Sequence, residues 1–471
     1  MQLQFINQFS VAGLICIVSG VALAQTPPLT QIVTHPGFTE TQANSGVAIQ
    51  KACINLGALT TAGAPLTPDQ VDLRTECNRM VRTARNLLTG TSQTPNLGTD
   101  ATEAGLQRAL QQIAPEEMAA NSRMAIEATA KSTASAIRAR MSALRSGAQG
   151  LSMNGVEYGP ITNAYKSPVV FGRKQRGGMA GADEGMGGKL GLFVNAAYNT
   201  GDRDDTSRED GFDFNNWSLL GGVDYRVTDA LVAGVALGYN QTKVDITRSQ
   251  GAIDSDGWNI NTYATFNLNK FYVEGNLGYS RNGYDSDRNI SYSTETGAIV
   301  QRNAKGSTNG NQFNVGLSAG YDWALGSLTF TPYGRLEYIK LDIDAFNEAG
   351  ASGLNLHVDG QTANSTQSAV GLRGAYAIST GIGALIPQAS VEWIHEFANN
   401  SRNITARYIS DTQNNLIVIP TEYPDRNYFR IGLGLSAIFQ RGWSGFVNYE
   451  NLQGLSNTTQ HSLLLGLRKE L

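Results

Sequence analysis

Beyond its first two dozen residues the sequence has no long hydrophobic run. A helix that crosses a bilayer needs about 20 consecutive apolar residues, so a helical membrane bundle is excluded. Histidine is scarce, at 4 in 471 residues, and cysteine at 3. His35, His357, His395 and His461 stand far apart and no pair has metal-ligand spacing, so neither a zinc site nor any cofactor is expected. Neither sign of charge is in excess: 36 Lys and Arg against 40 Asp and Glu leave −4, which gives no reason to expect a nucleic-acid partner. Residues 25–102 show no β-helix repeat.

The exception at the start is an apolar run from Val11 to Ala24 that ends in Ala22-Leu23-Ala24 before Gln25. A short apolar run closed by a small-x-small triplet is a secretory leader, expected to be cut between Ala24 and Gln25. Cys16 lies inside it. Cys53 and Cys77 remain, and an even pair in an exported chain is expected to form a disulfide.

After the leader the texture changes three times. Residues 25–102 form a short module with two helical segments, "TETQANSGVAIQKACINLGAL" and "TPDQVDLRTECNRMVRTARNLL". Thr67, Pro68 and Gln70 make a helix start with a capping box in the second. Residues 103–147 read as a linker helix region: Leu106, Leu110 and Ile113 have helical spacing, Pro115 restarts the segment, and no Gly or Pro interrupts Glu116–Arg145. That stretch is slim, with a basic end at Lys131, Arg138, Arg140 and Arg145. Residues 148–188, with "RGGMAGADEGMGG", read as a flexible tether.

From residue 189 to 471 the period is two. "LVAGVALGY" sets Leu231, Val235, Leu237 and Tyr239 against Val232, Gly234, Ala236 and Gly238. "FYVEGNLGYS" and "FRIGLGLSAIF" alternate in the same way. About twelve such strands can be counted, the sixth beginning near Asn311. Tight links such as "RVTDAL", "LNKF" and "QRGW" alternate with longer polar ones such as "DSDRNISYSTETGAIVQRNAKGSTN" and "NEAGASGLNLHVDGQTANS". Short turns on one side and long loops on the other predict a mainly β protein, a 12-stranded antiparallel transmembrane β-barrel with periplasmic turns. Tyr198, Trp217, Tyr239, Trp258, Trp393 and Trp443 sit toward strand ends, as interfacial girdles do.

The parity opposite the apolar one then faces the lumen. It carries Asp224, Glu274, Arg335, Glu337, Arg373, Glu392, Arg430, Glu450 and Arg468, of mixed sign. It also carries many small residues, among them Gly234, Gly238, Gly316, Gly320, Gly371, Gly432, Gly434 and Gly466. Small residues leave room for an occupant. The slim helix just upstream is expected to thread the lumen with its basic end near the lumen carboxylates.

At this point the sequence resembles the C-terminal translocator barrel of autotransporters (type V secretion). "LGSLTFTPYGRLEYIKLDIDAFNEAGA" is similar to the family's strand with Pro-Tyr and Glu-Tyr followed by an Asp-x-Phe-x-Glu loop: Pro332, Tyr333, Glu337, Tyr338, Asp344, Phe346 and Glu348. "SAVGLRGAYAI" resembles the next strand, with Gly371 and Arg373, and "LIPQASVEWIHEF" the one after, with Glu392, Trp393, Glu396 and Phe397. "HSLLLGLRKEL" looks like the closing strand, with Leu463, Leu465 and Leu467 toward lipid and Leu471 at its end. The resemblance implies a monomeric barrel in outer-membrane lipid of a Gram-negative bacterium, reached through the Sec translocon, periplasmic chaperones and the barrel-assembly machinery. It implies that the barrel helps carry its own N-terminal module to the cell surface. Two other readings stand beside it: a plugged, porin-like barrel with a periplasmic module, and an outer-membrane hydrolase. "GLSAG", Gly316–Gly320, matches a nucleophile pattern around Ser318 but sits mid-strand with no following helix, and His395 belongs to the family motif. No enzymatic activity is expected.

Overall fold

The computed structural model describes residues 27–116, 131–147, 152–153, 156–157, 189–248, 251–439 and 442–471. The leader with Ala24 and Gln25, residues 117–130 of the linker segment and nearly all of the tether lie outside these described residues.

Twelve staves close into a ring: β1 (Leu190–Arg203), β2 (Phe212–Arg226), β3 (Leu231–Ile246), β4 (Ala252–Leu268), β5 (Phe271–Ser293), β6 (Ile299–Tyr321), β7 (Leu328–Ile343), β8 (Gln361–Tyr376), β9 (Gly383–Glu396), β10 (Asn427–Phe439), β11 (Trp443–Gln453) and β12 (Thr458–Glu470). Each pairs antiparallel with its sequence neighbour, and β12 closes on β1 from Thr458↔Arg203 to Glu470↔Gly191. Closure leaves no unpaired edge, the condition for a sheet to lie in hydrocarbon.

The alternation decides which face meets lipid. Leu237, Leu277, Leu336, Val370 and Leu433 point outward and are exposed, while the intervening Ala236, Asn276, Arg335, Ala369 and Arg430 are inside. Trp217, Tyr239 and Trp258 form one aromatic row, with ring centroids 5.4 and 4.9 Å apart. Phe271 and Tyr321 meet at 4.7 Å near the short turns. Along β2, Trp217 and Tyr225 are separated by roughly 26 Å of strand, which suits the apolar band of a tilted outer-membrane barrel.

Helices α1 (Pro28–Ile32), α2 (Glu40–Thr61), α3 (Pro68–Thr89) and α4 (Glu103–Gln112) precede the barrel. Capping boxes start α2 at Thr39/Gln42 and α3 at Thr67/Gln70. Gly90 ends α3 in the left-handed region at φ 69°. Cys53 on α2 and Cys77 on α3 form a disulfide, Cα atoms 5.7 Å apart. It closes a separation of 24 residues, a constraint worth about 3 kcal/mol in chain entropy. Helix α4 opens the stretch 103–147 that the sequence presents as a linker helix region. Leu106, Ala109, Leu110 and Ile113 of α4 are buried in the same core as α2 and α3, so the packed module extends through Ala114.

Three long connections differ from the sequence reading. The stretch expected as a polar loop before Asn311 is paired strand: β5 and β6 continue together to Ser293↔Ile299 and form a projecting arm. On its inward parity Tyr284, Ile290, Tyr292 and Ala304 are buried in the apolar core and Arg288 is buried among them, which holds it in register. The links β7–β8 and β9–β10 contribute Phe346–Asn347, Leu356–Val358, Asn403–Tyr408 and Ile417–Pro420 to a four-stranded sheet. The module, the arm and this sheet share one hydrophobic core at the long-connection end of the barrel.

Candidate functional site: the occupied lumen and its mouth

Helix α5 (Lys131–Gly147) lies inside the barrel. One side of it is apolar: Ala136, Ile137, Met141 and Leu144 pack on Phe193, Ala197, Leu220, Val232, Ala236, Tyr263 and Leu464 of β1–β4 and β12. The other side is polar and meets the wall of β7–β11. Ser135 Oγ donates to Glu450 Oε2 at 3.1 Å, and Arg138 Nη1 donates to Glu337 Oε1 at 3.2 Å. Arg373 Nη1 donates to Ser142 Oγ at 2.6 Å. Lys131 Nζ donates to the Tyr428 hydroxyl at 3.3 Å, near the mouth. Arg140 pairs with Asp224. Arg145, close to the short turns, pairs with Glu274 and covers the Tyr272 ring at 3.7 Å. The chain therefore runs down the lumen from mouth to turns.

Arg335 pairs with Glu337 and, at 3.1 Å, with Glu392. Arg430 reaches Glu392 at 3.1 Å and Glu450 at 3.6 Å. With Arg138 this is a largely buried network of three arginines and three glutamates that ties α5 to four staves. Buried charges persist only when paired and hydrogen-bonded in this way. Below it a cavity of about 210 Å³ remains beside α5, lined by Ser142, Tyr333, Arg373, Gln388 and Asn448 among others.

The sequence-predicted residues divide into groups. Glu274, Arg335, Glu337, Glu392 and Arg430 lie buried in the lumen. Arg373 also covers the Tyr333 ring at 5.5 Å, and Arg468 reaches Asp224 at 3.6 Å and Glu470 at 3.3 Å near the turns. The motif residues Pro332, Tyr338, Trp393 and Phe397 face outward, as do Leu463, Leu465, Leu467 and Leu471. Tyr333 turns inward and lies over Gly371, where a Cβ would sit 2.5 Å from its ring. Glu396 is buried and accepts from Ser365 Oγ, the Thr366 and Ala398 N–H groups and Gln367 Nε2 at 2.6–3.0 Å. Phe346 is in the mouth core.

The lumen glycines have a use the sequence reading did not give them. Gly234, Gly320, Gly371 and Gly466 each receive an aromatic ring from the adjacent stave: Tyr263, Tyr272, Tyr333 and Phe446. The rings lie flat on the wall, and this is what leaves the lumen open for α5. Ser318 and His395 are not brought together. Ser318 Oγ donates to Glu274 Oε2 at 3.1 Å inside, while His395 bonds Asn427 at 2.9 Å and pairs across from Ser368 on β8.

The mouth is where the sequence reading found least. On β7 the inward parity is polar through Arg335 and Glu337 and then turns apolar at Ile339, Leu341 and Ile343, all buried under the module. Arg288 of the arm is 1% exposed. It donates through Nε to Glu348 Oε1 at 2.9 Å and through Nη1 to the Gln112 carbonyl at the end of α4 at 2.9 Å. A partial signal was available: Tyr284, Ile290 and Tyr292 share one parity, with Ser286 and Arg288 interrupting its apolar run.

Comparison with known proteins agrees with this geometry. The autotransporter beta-domain family matches residues 192–450. Esterase EstA of Pseudomonas aeruginosa is 27% identical over 234 residues, 48% of this chain and 34% of that protein. An extracellular serine protease of Serratia marcescens is 23% identical over 45% of this chain and 20% of its own length. The chain thus spans about a third or less of these relatives. Among solved structures, the translocator domain of the autotransporter NalP from Neisseria meningitidis aligns with 60% of this chain and 89% of its own, at 20% identity and a TM-score of 0.47. With the family matched across more than half of its length and a closed twelve-stave ring around a helix, the chain belongs to the autotransporters, and residues 190–470 are its outer-membrane translocator barrel.

Proposed function

We propose that this barrel carries its own helical module to the outer face of the outer membrane and keeps it there, seated in the barrel mouth. One observation carries the reading: the module and the inward apolar residues at the long-connection end form a single core. Long connections face the cell exterior and short turns the periplasm in such barrels. The direction of α5, from mouth to turns, fits a chain whose upstream part lies outside. A periplasmic module would have to be at the other end, near Arg145 and Glu274.

In this reading the chain leaves the cytoplasm through the Sec translocon, is escorted by periplasmic chaperones and is inserted by the barrel-assembly machinery, as a single barrel in outer-membrane lipid. The module acts by display, without chemistry of its own. In the barrel wall, the hydrogen bond of Ser318 to Glu274 and the separation of Ser318 from His395 speak against a hydrolytic pair.

The test is an epitope inserted between Gly63 and Ala64, in the exposed turn joining α2 to α3. Antibody should bind intact cells, and the epitope should sediment with the outer membrane. Binding that appears only after the outer membrane is permeabilised would overturn the proposal.

A further inference from the structure

We infer that the β5–β6 arm is the template on which the helical module acquires its fold, so that the module is not a domain that folds by itself. The inference rests on the proposed seat in the mouth for where folding happens, but not for whether it depends on the arm.

The arm brings a backbone ladder of its own to the contact, whereas the module brings buried polar groups that the arm completes. The arm is a continuous antiparallel hairpin whose ladder runs from Phe271↔Tyr321 to Ser293↔Ile299. Its ladder is made within the hairpin, with a short tip at Thr294–Ala298, and the module completes the outward N–H groups of Ser291 and Ser293. The module, in contrast, buries a carboxylate it does not satisfy alone. Glu76 on α3 is 4% exposed and sits beside Leu73, Cys77 and Met80. Its own helix offers Arg79 at 3.3 Å. The arm supplies the Tyr292 hydroxyl at 2.8 Å and Arg302 Nη2 at 3.1 Å. Arg302 also donates to Asp72 Oδ1 at 2.8 Å, one turn earlier on the same helix. A buried carboxylate stripped of such partners disfavours the packed state.

The tip organises the stretch between α3 and α4 in the same way. Ser293 N donates to Asp100 Oδ2 at 2.8 Å, and Asp100 N donates to Ser293 Oγ at 2.9 Å. Ser293 Oγ in turn donates to the Leu97 carbonyl at 2.5 Å. Gly98, at φ +54°, lies so close to the Thr294 carbonyl that a Cβ would stand 2.0 Å from its oxygen. This stretch has a single short 3₁₀ turn, Gly98–Asp100, held between the arm's tip on one side and Thr83 and Asn86 of α3 on the other. At the end of α4, Ser291 N donates to Gln112 Oε1 at 2.8 Å. From α3 to the end of α4 the hairpin bonds the module at Asp72, Glu76, Leu97, Asp100 and Gln112, and Gly353 N of the β7–β8 connection adds a bond to Asp72 Oδ2 at 2.9 Å.

The test uses the full chain in outer-membrane preparations permeabilised so that trypsin reaches both sides. In one variant residues 290–302 are replaced by Asn-Gly, joining Asn289 to Asn303, which already face each other. A second variant is Arg302→Ala. Barrel assembly is followed by the heat-dependent gel shift, and module folding by the rate of trypsin cleavage at Arg74, Arg82 and Arg85. The barrel should assemble in both. Cleavage should accelerate about tenfold for Arg302→Ala, the loss expected of charge-assisted bonds to buried partners, and the module should be degraded without a resistant core in the shortened variant. A module as resistant as the parent's in the shortened variant would overturn the inference. Should that variant fail to assemble, unchanged cleavage in Arg302→Ala would overturn it. Failure of surface display in intact cells leaves this result readable, because permeabilised membranes do not depend on sidedness.

Discussion

Glu392 is the residue whose loss should be felt most in the barrel wall. It takes bonds from Arg335 and Arg430, both nearly inaccessible to water. Glu392→Gln leaves two guanidinium groups with half their charge compensation, and breaking a buried pair costs about 3–5 kcal/mol. The temperature at which the folded barrel loses its gel mobility should drop clearly; an unchanged midpoint would mean that the network is hydrated and screened. Gly371 gives a cleaner steric case. Gly371→Val should crowd the Tyr333 ring, an overpacking cost of about 1–3 kcal/mol. Adding Tyr333→Ala should recover most of that loss in the same gel-shift midpoint. The pair was legible in the sequence as two motif residues on adjacent strands, but not as ring and seat, because that depends on the register Tyr333↔Gly371.

Among the elements, the staves were the most legible. Val235 and Leu237 alternate with Ala236 and Gly238 as lipid-facing and lumen-facing residues must. The arm was not recognised because Asp285, Asp287, Arg288 and Asn289 look like loop composition. Only the inward half of that stretch, Tyr284, Ile290 and Tyr292, carries the strand signal, and its purpose appears once the module is packed on it. The small sheet was missed for another reason: Asn403–Tyr408 pairs with Leu356–Val358 from a different connection, and ring closure alone brings them together. The arm also gives a pH prediction. Burial opposes the charge of Asp100, but the Ser293 backbone N–H, the Ser293 hydroxyl and Arg108 outweigh it and hold the carboxyl below its ordinary 3.8. A depressed carboxyl stabilises the docked state above its ordinary value and loses that contribution as pH falls through the lowered one. Burial lifts Glu76 above its ordinary 4.5, though Tyr292, Arg302 and Arg79 pull against it, so its contribution runs the other way, fading as pH rises. The difference between parent and Asp100→Asn isolates the first effect. Trypsin sensitivity of the module, measured after brief acid exposure, should rise below about pH 4 in the parent and rise less in Asp100→Asn. Equal acid sensitivity in both would remove Asp100 from the account.

For the whole molecule, the inward face of the barrel changes character with height. It is charged and polar around α5 and apolar at Ile339, Leu341, Ile343 and Ala363 under the module. A barrel mouth that stood open would not present such residues to water. Deleting residues 28–112 should therefore leave an assembled barrel that binds a hydrophobic dye several-fold more strongly and aggregates more readily in detergent; dye binding equal to the parent's would refute a resident module. The helix in the lumen also bears on how the molecule takes a load. Arg138–Glu337, Arg140–Asp224 and Arg145–Glu274 join α5 to three different staves at successive depths. A pull on the module along the barrel axis would strain these ties together, in shear, rather than peel them one at a time. The lumen helix then serves as a mooring, and its grip scales with the number of arginines along its length.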